Sequence, residues 1–326
     1  QQEIKDAQSR IEILRVRLNG IQAETLRKAL SRCQIVSRSQ RVINCPDDVS
    51  LGKIWVASVN PQTERVWSEL CEAKGQIQLS RRAFVRLEVD SADVLKYFSR
   101  FNPDDLQSID FMGSVMEDED WNAFSHLSGL RELRIAGAHL NSESFNFFSS
   151  LPHLRSLQLT ACELEVGVFQ SLAENKSIRE IRISHCLLDP DALLGICRLP
   201  NLRQLLLEGD SISNAILEQL NEPSNLTELY VVLARIDDEG LHVLSNFSNL
   251  ESLVLRTNHI TEQGLSVISQ LPRLKRLFLG ADLIKDSIFE SISNLSELRE
   301  LTIRTVEIES DYTKLLANLP NLERLT

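Results

Sequence analysis

No run of eighteen apolar residues occurs in this chain, which excludes a membrane-spanning helix within it. Glycine-rich phosphate loops, the G-x-S-x-G elbow and H-E-x-x-H are missing too. With them go the usual signatures of nucleotide, serine-hydrolase and zinc-protease chemistry. Six cysteines (Cys33, Cys45, Cys71, Cys162, Cys186 and Cys197) form no C-x-x-C, and no histidine stands at a zinc-like spacing beside a pair. No cofactor, metal ligand or catalytic residue is expected from these patterns. Positive charge is also short, 35 Lys and Arg against 46 Asp and Glu, a net of −11. That balance argues against nucleic acid bound along the chain's length. Residues 1–45 run the other way, at +5, leaving −16 on the remainder. A basic arm of this kind suits either a solvated helix face or contact with anionic lipid headgroups. No signal peptide is visible.

What the chain has is one pattern with a fixed period. L-R-E-L-R-I-A-G-A-H-L opens at Leu130, and L-R-S-L-Q-L-T-A-C-E-L opens at Leu154. The frame returns at Ile178, Leu202, Leu226, Leu250, Leu274, Leu298 and Leu322, and extends back to Leu106 in steps of 24. It reaches Phe84 if one unit has 22 residues. Each unit holds an alternating L-x-L core such as Leu253 and Leu255, a strand signal. A set at helical spacing follows: Phe145, Phe148 and Leu151; Leu241, Leu244 and Phe247; Leu265, Ile268 and Leu271. Ser213, Asp237 and Thr261 stand where they can cap a helix start, and Pro152, Pro200, Pro272 and Pro320 stand where a helix has ended. One such unit buries too little to offset the entropy of ordering it, so neighbours must stack and share a core.

This motif resembles that of the leucine-rich repeat family, L-x-x-L-x-L-x-x-N/C-x-L, over residues 84–326. The segments I-D-D-E-G-L-H-V-L from Ile236 and I-T-E-Q-G-L-S-V-I from Ile260 look like the bacterial 24-residue subtype. The resemblance implies an α/β horseshoe solenoid, with a parallel sheet on its concave face and short helices on its convex face. There is one departure. The Asn/Cys position holds Ala138, Cys162, Cys186, Asp210, Ala234, Asn258, Asp282 and Val306, so an unbroken asparagine ladder is not expected. Cys162 and Cys186 at that position read as buried free thiols. His139 and His259 share a turn position five units apart, too far to share a metal.

Residues 1–33 predict a helix, with Ile4, Ile11, Leu14, Leu18 and Ile21 on one face. A stalk or dimerisation helix and a cap on the first repeat are both open. Residues 34–83 are expected to form a helical or α/β capping region. Within it, residues 34–50 read as loop and Ile54 to Val59 as strand. Residues 63–73 read as a helix ended by Gly75, Ile77 and Leu79 as pairing with the Val85–Val89 run, and Trp55 and Trp67 as core. Residues 84–326 form the repeat domain, cut part-way through a unit at Thr326, so a longer protein is expected, with room for an upstream signal or anchor. Sequons at Asn175, Asn225, Asn246 and Asn294 would matter only in a eukaryotic secretory setting.

The residue between the two core positions of each strand points outward. That column reads Arg134, Gln158, Arg182, Leu206, Tyr230, Val254, Phe278 and Thr302, apolar in four consecutive units where polar residues are expected. Val232 and Leu233 adjoin it, and Arg182, Glu208, Arg256 and Arg304 rim it. An exposed apolar patch with a polar rim marks an interface, although side chains laddering against one another give the same pattern. Arg131, Arg155, Arg179 and Arg203, beside Glu132, Glu180, Glu228 and Glu300, read as charge pairs serving solubility and register. The expected function is non-enzymatic binding of a protein on the concave face. A membrane-tethered bacterial envelope protein and a substrate-recognition subunit are the alternatives, in the cytoplasm or at the envelope.

Overall fold

The structure is a computed structural model and describes residues 40–59, 65–112, 116, 118–189, 191–220, 225–257, 260–280, 283–284, 292–304, 307–308 and 319–326. The helix expected over residues 1–33, Cys33, and the ladder positions Asn258, Asp282 and Val306 lie outside them, as does His259. The chain divides into two compact units between Leu87 and Glu88.

The described part of the first unit is built of strands. Gln40–Asn44 pairs antiparallel with Gln76–Ser80, and Lys53–Val59 with Arg65–Glu72, the latter slipping register between Ile54 and Trp55. Ile43, Leu51, Ile54, Ala73, Ile77, Leu79, Val85 and Leu87 are buried. Four expectations fail here. The segment expected to be helical is the strand Arg65–Glu72. Its Val66, Leu70 and Ala73 do fall at helical spacing, but Val66 is 52% exposed and only Ala73 is buried, so no apolar stripe exists to drive a helix. Pairing with Lys53–Val59 satisfies its backbone instead. Gly75 therefore caps no helix. It turns the chain at φ 65°, donating to the Pro46 carbonyl at 2.8 Å. Part of the expected 34–50 loop is the strand Gln40–Asn44, which buries only Ile43 and so carries almost no pattern. Its partner, Gln76–Ser80, pairs with it and not with the Phe84–Val89 run. Trp55 and Trp67 are half-buried; the Arg86 guanidinium lies 3.7 Å from the Trp67 ring centroid.

In the second unit, the strands Ser108–Met112, Glu132–Ala136, Ser156–Thr160, Glu180–Ser184, Gln204–Glu208, Glu228–Val232, Ser252–Arg256, Arg276–Gly280, Glu300–Arg304 and Arg324–Leu325 lie side by side, parallel and in chain order. Paired residues are 24 apart throughout, from Ser108 with Glu132 to Leu301 with Leu325. Every strand from Glu132 to Gly280 buries its two L-x-L residues, for example Leu229 and Val231 or Leu253 and Leu255. The ladder begins one residue early. The Arg131 carbonyl accepts from the amides of both Arg155 (2.8 Å) and Ser156 (3.1 Å), and Arg155, Arg179, Arg203, Thr227, Glu251, Lys275 and Arg299 repeat this fork.

The ladder also overruns each strand, and the overrun sets the turn. Gly137, Ala161, His185, Gly209 and Leu233 are 24 residues apart and all lie at positive φ (75°, 50°, 54°, 120° and 54°). Each donates its amide to the next coil, as Leu233 does to the Arg256 carbonyl at 2.9 Å. After it the chain makes a second, short parallel pairing, His139–Leu140 with Glu163–Leu164 with Leu187–Leu188.

The far side is formed by short helical segments, many of them 3₁₀ turns rather than α-helix. Ser142–Ser150 is α-helical with a capping box at Asn141, whereas Val168–Leu172, Ile196–Arg198 and Gly240–Asn246 are 3₁₀. The expected apolar triplets are all buried beneath them. Towards the start of this unit the core is aromatic: Phe98 to Phe124 (5.2 Å between centroids), Trp121 to Phe148 (5.2 Å) and Phe145 to Phe169 (4.9 Å) form one row.

Caps on this side reach from coil to coil. Ser213 stands at a helix start but makes no side-chain cap bond. Its neighbour Asn214 accepts from the Asp237 amide (3.2 Å) and donates to the Asp237 carboxylate (2.7 Å). One coil on, Asp238 accepts from the Thr261 amide (2.7 Å). Asp237 and Thr261 in turn accept from the amides of Glu239 and Gln263. The hydrogen bond from Asn214 holds the Asp237 carboxyl below its ordinary range. Gly240 and Gly264 leave the room this requires: a Cβ on Gly264 would stand 2.3 Å from the Asp238 carboxylate and 2.8 Å from its Cα. Gly264→Ala is expected to cost roughly 1–3 kcal/mol, as overpacking does. Gly137, where a Cβ meets nothing within 4 Å, should lose only about 1 kcal/mol on the same change. Denaturant midpoints of the two variants check the order.

Candidate functional site

The outward column of the sheet is in register as expected. Arg182 pairs with Leu206, Leu206 with Tyr230, Tyr230 with Val254, Val254 with Phe278 and Phe278 with Thr302. These side chains are half-buried, while Leu205, Leu229, Leu253 and Leu277, one residue before them, are buried. Tyr230 and Phe278 thus lie on the open face, outside the leucine core. Four strands at about 4.8 Å spacing make the apolar stripe roughly 14 Å wide. Val232 stands beside it, and Leu233, at the next turn, is 51% exposed.

Leu233 combines two costs. A branched side chain at φ 54° is strained, a position that Gly137 and Gly209 fill without penalty. It also leaves much of an apolar side chain in water.

The four expected rim residues lie at one end of the stripe and along one of its edges. Arg182 adjoins Leu206 and is paired with Glu180; Glu208 is in register with Val232, and Val232 with Arg256. Glu208 turns away from the stripe, accepting from the Ser184 hydroxyl (3.2 Å) with its other oxygen 3.8 Å from His185 Nε2. Arg304 is in register with Gly280, its guanidinium 5.7 Å from the Phe278 ring centroid.

A polar brace escaped the sequence reading. The Tyr230 hydroxyl donates to Glu228 Oε2 at 2.9 Å, and Arg276 Nη2 donates to Glu228 Oε1 at 3.1 Å from two coils away. Buried Ser252 lies between them, small enough to be bridged. Its size between a Glu and an Arg two units apart was the available signal. Burial first, then the bond to Glu228, pushes the Tyr230 phenol above its usual pKa, so it stays a donor at neutral pH. Of the glutamates expected to pair with the Arg131 to Arg203 column, Glu180, Glu228 and Glu300 pair instead with Arg182, Arg276 and Arg324, and neighbouring coils are bridged by Lys275–Glu251 (3.0 Å) and Arg299–Glu323 (3.5 Å).

Cys162 and Cys186 are buried free thiols. Each sulfur donates back to the preceding coil, at 3.5 Å to the Ile135 and Leu159 carbonyls, and Cys186 Sγ accepts from the Cys162 amide at 3.3 Å. They fill the part an asparagine ladder would play. The hydrogen bond between the two thiols lowers Cys162 and raises Cys186, whose burial raises it further. Burial, then Glu69 and Glu72, raises Cys71. Among the described residues no cluster of His, Cys, Asp or Glu could hold a metal ion, and no helix is long and apolar enough to cross a membrane.

No protein-family model matches the sequence, and no curated relative does. Solved structures do. The mouse RP105/MD-1 complex matches at TM-score 0.53 and 17% identity over 73% of this chain and 40% of that one. The fold is a leucine-rich repeat solenoid. An internalin of Listeria monocytogenes matches at TM-score 0.46 and 20% identity, over 68% of this chain and 61% of its own. The TLR13–ssRNA13 complex matches at 0.46 and 18%, over 70% and 37%. This chain spans less than two thirds of each.

Within this leucine-rich repeat fold Leu233 offers a direct check on strain. Leu233→Gly is expected to raise stability by about 0.5–1 kcal/mol, the relief of left-handed strain less the entropy glycine adds to the unfolded chain. Chemical denaturation of the two proteins measures it.

Proposed function

We propose that the repeat domain is a non-enzymatic protein-binding module, and that its partner rests on the concave face over Leu206, Tyr230, Val254 and Phe278. One observation carries this reading. Four neighbouring strands present apolar side chains in register on the open face, where the flanking coils present Arg182 and Thr302. Laddering alone would account for Val254 and Phe278, but not for Leu233, which is both strained and exposed at the edge of the same patch. Strain retained at a solvent-facing position is a mark of function. Tyr230, held by Glu228 and Arg276, is a pre-ordered aromatic anchor of the type that dominates interface energetics.

The test compares proteins retained from source cells by the immobilised wild-type chain and by the Tyr230→Ala/Phe278→Ala double variant. Both positions are half-buried, so circular dichroism should show an intact fold. Specifically retained proteins are expected to fall at least about tenfold, the effect of losing one or two hot-spot side chains. Equal retention by the folded double variant sinks the proposal.

A further inference from the structure

The arginines on strand positions of the open face differ in how they are satisfied. Arg134 faces Asp110 at 3.8 Å, Arg182 is paired with Glu180, Arg276 with Glu228 at 3.1 Å, and Arg324 with Glu300. Arg256 and Arg304 have no carboxylate partner among the described residues, although the chain as a whole carries an excess of acid. Both are exposed. They stand on either side of Gly280, in register with it on adjacent strands, and so about 10 Å apart along the sheet.

Gly280, having no side chain, lets Arg256 and Phe278 close in over it. A Cβ there would lie 3.1 Å from Arg256 Cγ and 3.4 Å from Phe278 Cε1. The Arg256 stem therefore leans over the glycine, the Phe278 ring forms the near wall, and Arg304 stands over that same ring. The result is a notch with two guanidinium groups that face no carboxylate among the described residues, opening onto the apolar stripe at Phe278. Guanidinium is the side-chain group best matched to a planar, two-oxygen acceptor.

We propose that this notch reads a side-chain carboxylate, so that the face selects a protein segment bearing an Asp or Glu next to apolar side chains. This rests on the protein-binding reading of the stripe and adds the charge of the partner to it. Nucleic acid, the other anionic macromolecule, is disfavoured because Glu180, Glu208 and Glu228 share the face and would repel a phosphate backbone running across it.

The probe is a phage-displayed library of random dodecapeptides, selected on the wild-type chain, on R256E/R304E and on Tyr230→Ala/Phe278→Ala. The wild type is expected to enrich sequences with Asp or Glu within two positions of Leu, Ile, Phe or Trp. A synthetic winner should bind R256E/R304E about tenfold more weakly, with the gap closing as salt is raised. Winners without acidic residues, or winners indifferent to the charge reversal, overturn the notch while leaving the stripe standing. Winners indifferent to Tyr230→Ala/Phe278→Ala remove the stripe itself, and an empty selection on the wild type removes both. Poly(U) RNA that binds the wild type and not R256E/R304E also overturns the proposal, by assigning the notch to phosphate. Circular dichroism verifies the fold of each variant, and Arg256→Gln/Arg304→Gln replaces the reversal if it fails to fold.

Discussion

Register is the constraint on which this molecule depends. Paired residues in the second unit are 24 apart from coil to coil, so every sequence column becomes a spatial row. That register is fixed from both ends of each strand. A forked carbonyl at the entrance accepts two amides from the next coil, and a left-handed residue at the exit extends the ladder one step past the strand. Parallel strands slip easily only when their two faces are alike. Here one face is continuous Leu, Ile and Val, and a shift of one residue would expose all of it. The core and the backbone forks enforce the same alignment.

The left-handed column meets one repeated geometry at unequal cost. Gly137 and Gly209 meet the turn without cost, and His185 and Ala161 at a modest one. Leu233 meets it at the highest cost and gains no burial in return. The open face is uneven as well. Glu228 is satisfied twice, by Tyr230 and Arg276, whereas Arg256 and Arg304 face no carboxylate among the described residues. Polar groups at the edge of the stripe are thus of two kinds, those that brace it and those that remain available.

Much of the second unit was legible because its signal is repeated. Leu253 and Leu255 mean little alone, but the same pair at a fixed spacing through the chain leaves one arrangement that buries them all. The outward position of Tyr230 and Phe278 followed from that frame. Legibility ended where repetition ended. Val66, Leu70 and Ala73 have helical spacing, yet Arg65–Glu72 lies in an antiparallel pair with Lys53–Val59, because a reading of local pattern saw that strand but not the pairing. Gln40–Asn44 buries a single residue and announces nothing. Within the candidate site, Gly280 and Ser252 escaped notice for a different reason. Their importance lies in the space they leave or close for Arg256, Arg276 and Arg304, and space is a property of three coils together.

The row of rings from Phe98 to Phe169 has a consequence for how the solenoid holds together. Stacked coils touch only their neighbours, so each joint opens with its own free energy. The joints of the first coils are aromatic and interlocked, whereas among the described residues those beneath the stripe are aliphatic apart from Phe247. Opening one of the early joints therefore breaks ring-to-ring contacts as well as burial. A visitor spanning four strands would clasp three joints at once, and its hold would be felt as stiffening of the coils that carry Tyr230 and Phe278.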